Sequence, residues 1–144
     1  MSAIEKIILK VETWVDCAPA LTWEYWINPQ HIMKWNNASE DWHTSHAESD
    51  FREGGKFLSR MAAKDGSQEF DFTGIFDVIT IPEYIEYTLA DGRKVNISFT
   101  AEGKGTRVIE NFEAEEIHAH ELQVQGWQAI LENFKKYAES NRPS

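Results

Sequence analysis

The chain has one cysteine, Cys17, in 144 residues. It can form no internal disulfide and no four-thiolate metal site, which excludes a small secreted scaffold held by bridges. Basic side chains are also scarce: 14 Lys and Arg stand against 24 Asp and Glu, a formal net charge of -10. Phosphate backbones and anionic lipid both call for a basic face, so neither nucleic acid nor membrane is expected as a partner. No run approaches the roughly 20 apolar residues of a membrane span. The start, Met1 to Lys6, lacks the basic region and apolar run of a secretory signal, so a cytoplasmic protein is expected. There is no internal repeat and no low-complexity stretch. Aromatic residues, by contrast, are abundant: 8 Phe, 6 Trp and 4 Tyr. In a chain with enough apolar residues for one folded domain, these rings either fill a core or line a hollow.

Periodicity orders the elements. Ile7, Leu9, Val11 and Val15 alternate with polar residues over Ile4 to Val15, the period of a half-buried strand. Pro19 suits the first turn of a helix that carries Leu21, Trp23, Trp26 and Ile27 up to Asn28-Pro29, and a second short helix is predicted over His31 to Trp35. Asn36 to Ser45 reads as loop. A meander follows, with Glu53-Gly54-Gly55, Asp65-Gly66, Pro82-Glu83, Asp91-Gly92 and Gly103-Lys104-Gly105 as its turns. Gly74 is expected to mark a bulge or bend. From His120 to Glu139 the period becomes helical, with Leu122, Trp127, Ile130, Leu131, Phe134 and Tyr137 on one side and a Glu132/Lys136 pair on the other. Such a helix is about 30 Å long, enough to cross a sheet. An antiparallel sheet with one apolar face needs a cover, and this helix is the large element available. A sheet curled around one helix leaves a gap unless large side chains fill it. One domain over residues 1–140 is expected, with 141–144 as a disordered tail.

Four stretches carry a resemblance to a known family. They are Trp35-Asn36 through Asp41-Trp42-His43; Asp50 to Phe57; Arg60-Met61 through Asp65-Gly66-Ser67 to Phe70-Asp71-Phe72 and Gly74, with Tyr87 to Val95 after it; and Gly126-Trp127 through Ile130-Leu131 to Phe134. With these the chain resembles the START-like (SRPBCC) superfamily, in the branch of heat-shock-protein-90 ATPase activator homologues, over residues 4 to 139. The resemblance implies an α+β helix-grip fold: a curved antiparallel sheet of about six to seven strands around one long C-terminal helix, with two short helices after the first strand. It also implies a cavity between helix and sheet, used across the superfamily for apolar or amphipathic ligands.

Alternation places Phe57, Ser59, Met61, Phe72, Tyr87, Phe99, Glu110 and Phe112 on the inward strand face, and Gln123, Trp127 and Ile130 reach it from the helix. Trp35 and Trp42 are assigned to the rim. Each residue alone fits a solid core equally well; the polar Ser59, Tyr87, Glu110 and Gln123 shift the balance, because buried polar atoms need partners. A mostly apolar hollow with a few convergent polar groups is the usual form of a small-molecule site. Glu110 is a ligand anchor, a general base, or, if a bulge turns it outward, a partner of Arg60 or Arg93. The Asp41/His43 pair is a second acid–base candidate.

Neither His43/His46 nor His118/His120 stands in a zinc arrangement, and no metal or other cofactor is expected. The expected function is non-enzymatic binding of an apolar or amphipathic small molecule. The alternatives are a chaperone- or client-binding stress-response module, and a cyclase- or hydrolase-like enzyme using Glu110 or Asp41/His43.

Overall fold

Strand alternation and the breakers between strands produce ten elements in the computed structural model, which describes residues 6–142. Strand β1 spans Ile8–Val15. Helices α1 (Pro19–Ile27) and α2 (Pro29–Trp35) follow, and then β2 (Trp42–Ser49), β3 (Lys56–Ala63), β4 (Glu69–Thr80), β5 (Tyr84–Leu89), β6 (Lys94–Glu102) and β7 (Gly105–Glu113). Helix α3 (His120–Asn141) closes the chain. The seven strands form one antiparallel sheet in the order β1-β7-β6-β5-β4-β3-β2. This is the expected helix-grip arrangement. The start of the first predicted strand, Ile4 and Glu5, lies outside the described residues.

Strand β2 departs from the sequence reading, which left Asn36 to Ser45 as loop. Its segment is WHTSHAES, and among its residues Thr44 alone is buried. It is an edge strand, paired only with β3, and α2 lies against it. The pairing also slips one residue between Thr44 and His46.

Asn28 serves both short helices. Its backbone N–H donates to the Glu24 carbonyl at the end of α1, and its side-chain oxygen accepts from the Gln30 N–H to cap α2. Pro29 then occupies the first turn, where a missing N–H costs nothing. The bulge expected at Gly74 falls instead between Phe76 and Val78. Gly74 has a different use. A Cβ there would lie 2.7 Å from the Phe57 ring and 2.7 Å from the Thr88 carbonyl oxygen, so its absence lets that ring lie across the strand.

Helix α3 packs along β1 and against α1 and α2, not on the far strands. Its C-terminal half is fixed in the core. Leu131, Phe134 and Ala138 are fully buried, and the Phe134 ring meets Trp26 at 4.8 Å and Trp35 at 4.9 Å, both edge-on. Burying a Leu or Phe of this kind stabilises by about 1.5–3 kcal/mol. Polar clamps add to it: Asn133 donates to the Asn37 carbonyl, Lys135 to the Trp14 carbonyl, and the Glu139 carboxylate accepts from the Asp16 N–H. The Lys135–Glu139 pair at 2.8 Å stands where a Glu132/Lys136 pair was expected, and Glu132 accepts instead from Gln128. Two residues of the expected tail, Asn141 and Arg142, are described. Asn141 is the last helical residue and accepts from the Tyr25 hydroxyl, and Arg142 pairs with Asp16 at 2.5 Å. Pro143 and Ser144 lie outside the described residues. No described helix is long and apolar enough to cross a membrane.

Candidate functional site

Because α3 lies along β1 while the sheet curls away, its N-terminal half is held off β3, β4 and β5. The space between is a cavity of about 420 Å³. Phe57, Phe72, Phe76 and Tyr87 form its strand wall, and their rings touch one another at centroid separations of 4.9–6.5 Å. Gln123, Gly126, Trp127 and Ile130 of α3 form the opposite wall. At Gly126 an added Cβ would meet nothing within 4 Å, so the hollow reaches the helix backbone. Trp26 and Trp35 close one end. Phe70 and Leu122, 54% and 58% exposed, stand at its opening with Arg93, Glu115 and His118.

Most residues singled out from the sequence line this space: Trp35, Phe57, Ser59, Met61, Phe72, Tyr87, Glu110, Gln123, Trp127 and Ile130. Three do not. Phe112 points inward but is covered by Trp127, stacked on it at 4.0 Å with an interplanar angle of 6°. Phe99 is covered by α1, with Trp23 at 5.3 Å and Trp26 at 5.7 Å, both edge-on. Trp42 sits on β2, packed on Phe70 at 5.9 Å outside the lining. Asp41 and His43 are exposed and also outside it, so the pair does not face the cavity. Trp26, Ser49, Phe51 and Gly126 were missed. Ser49 and Phe51 belong to β2 and the turn after it, while Trp26 has the helical spacing of α1, which by itself does not say that the residue faces a cavity.

The four polar candidates divide. Gln123 is spent on structure: its side-chain oxygen accepts from the Glu115 N–H, and its amide donates to the carbonyls of Glu115 and His118. It thereby pins the β7–α3 connection, which the Glu115–His118 ion pair also braces. Arg93 is held by Asp91 at 2.8 Å and Arg60 by Asp71 at 3.0 Å, so neither is a partner of Glu110.

Glu110, 4% exposed, sits mid-strand between Val108 and Phe112 and makes no hydrogen bond or ion pair with any described residue. Burial raises its pKa from 4.5 to about 8, because the ionised form would lose water without gaining a countercharge. At neutral pH it is a carboxylic acid with a proton to donate. Burial and the neighbouring Glu110 push the Tyr87 hydroxyl well above its usual value, with Arg93 acting in the opposite direction. Among the described residues no group of three or more His, Cys, Asp or Glu side chains stands close enough to hold a metal ion.

A curved sheet gripping one long helix, with an aromatic-walled hollow between them, is the architecture of the START-like superfamily. The chain belongs to the Activator of Hsp90 ATPase homolog 1-like protein family, whose sequence model matches residues 16–139. It is similar to the AHSA1-like protein from Aeromonas hydrophila, solved by NMR, with 42% identity, a TM-score of 0.88 and 93% of each chain covered. Chr148 from Cytophaga hutchinsonii shares 49% identity at a TM-score of 0.78, over 94% of this chain and 93% of that one. Protein NE0264 from Nitrosomonas europaea, at 19% identity and a TM-score of 0.82, covering 94% of this chain and 96% of its own, shares the fold. No curated protein matches the chain.

Proposed function

We propose that this protein binds an apolar or amphipathic small molecule in the cavity between α3 and the sheet, as a carrier or sensor and not as an enzyme. The observation that carries this reading is a hollow of about 420 Å³ with aromatic walls and buried polar groups that have no protein partner. Its volume is within the ~300–1,000 Å³ of small-molecule sites. Screening lipids and aromatic compounds by thermal shift and by amide and indole NMR shifts tests it. Binders are expected to move the signals of Gly126, Trp127 and Ile130 together. Shifts confined to the outer sheet face, or none from any compound, count against it.

The family's description supports a second reading, contact with a heat-shock ATPase through the acidic surface. Stimulation of a bacterial ninety-kDa heat-shock chaperone on mixing is its test. Acid–base catalysis by Glu110 would draw on the same raised pKa, and turnover of a bound compound that Glu110→Gln abolishes would favour it over simple binding.

A further inference from the structure

The polar groups left open in the cavity restrict which ligand head it accepts. Glu110, Tyr87 and Ser59 are 4%, 9% and 6% exposed, and all three line the same space. None of these side chains is hydrogen-bonded to another described residue, and Ser49 Oγ, the one fully enclosed polar side-chain atom left without a partner among the described residues, lines the same space, so their bonding capacity falls to whatever occupies the cavity. The basic groups among the lining residues, Arg93 and His118, stand at the opening and are engaged by Asp91 and Glu115.

A carboxylate head brought to Glu110 would lose its water and meet only Arg93, whose charge Asp91 already balances through its Nε contact. An ammonium head would have to displace the Glu110 proton and bury an ion pair between apolar walls, where desolvation offsets the attraction. An uncharged oxygen avoids both costs. A carbonyl accepts from the Glu110 carboxyl O–H and from the Tyr87 hydroxyl, and a ligand hydroxyl can in addition donate to the carboxyl C=O.

We propose that the cavity selects uncharged molecules bearing a carbonyl or hydroxyl oxygen, seated at Glu110 and Tyr87, and rejects the matching carboxylates and ammonium ions. This rests on the small-molecule reading above and narrows its amphipathic ligands to those with neutral heads. The pKa of about 8 at Glu110 agrees with it, since the donated proton is then present at pH 7.

A charge series on one ring system tests the selection: 2-acetylnaphthalene, 2-naphthol, 2-ethylnaphthalene, 2-naphthoate and 2-naphthylmethylammonium, titrated at pH 7 by calorimetry and NMR. The ketone and the naphthol are expected to bind about tenfold more tightly than ethylnaphthalene, and the two ions more weakly than ethylnaphthalene. Glu110→Gln, which keeps an uncharged donor, preserves the preference. Glu110→Leu brings the ketone down to the hydrocarbon while leaving the hydrocarbon bound. Tighter binding of either ion, or a ketone no better than ethylnaphthalene, overturns the selection and leaves the cavity reading standing. If none of the five binds, the hydrocarbon included, both are overturned.

Discussion

Replacing Glu110 with Gln removes one ionisable group while leaving the shape of the side chain nearly unchanged. With a carboxyl pKa of 4.5 in the unfolded chain and about 8 in the folded protein, the group affects stability through its proton. Below pH 4.5 both states are protonated and burial carries no ionic cost. Between 4.5 and 8 the unfolded state ionises while the folded state keeps its proton, so stability falls as pH rises, by about 1.4 kcal/mol per pH unit. Above 8 both states are ionised and the loss levels off at about 5 kcal/mol.

Glu110→Gln has no proton to exchange and escapes this term. Measured against the difference between the two proteins at pH 4, the variant should therefore gain roughly 1 kcal/mol by pH 5.5, about 3 by pH 7 and about 4 by pH 7.5. Urea unfolding of both proteins across this range measures the difference, and contributions from the other titrating groups cancel because the two chains share them. A stability difference that stays flat with pH would refute a buried, unpartnered carboxyl. A carbon-13 titration of the Glu110 carboxyl should give a midpoint near 8 in the same experiment.

Gly126→Ala places a methyl group in open space and replaces a poor helix former in the middle of α3, so stability should rise by about 1 kcal/mol in a urea or thermal melt. Gln123→Ala should destabilise by about 1–3 kcal/mol by freeing the buried bonds to Glu115 and His118, and amide exchange at Glu115 should speed up before any global change.

The sequence carried different parts of this structure with unequal clarity. Strict alternation in β5, β6 and β7 and the Asp-Gly turns made the meander readable, since in a sheet with one covered face the pattern is the burial. The segment WHTSHAES carried no such pattern, because Thr44 is the one residue of it that is buried, and a single buried position sets no period. For the site, alternation assigns a residue to a face but not to the part of that face left uncovered. Phe99 and Phe112 have the same period as Tyr87 and Glu110, yet α1 and Trp127 lie over them. Gln123 shows the same limit. Its inward position was legible, but its commitment to the Glu115–His118 backbone depends on a loop whose path no local spacing reveals.

Polar clamps run along α3 from Gln123 to Glu139, but its fully buried apolar anchors begin at Leu131, the residue after the last one to line the cavity, Ile130. One continuous helix thus carries two kinds of position. A change at Leu122 or Gly126 re-lines the hollow at little risk to folding, whereas a change at Leu131, Phe134 or Ala138 puts the whole domain at stake. A lineage built on this chain can therefore trade one ligand for another by drift on the front turns of the helix, inheriting the scaffold intact from the rear ones.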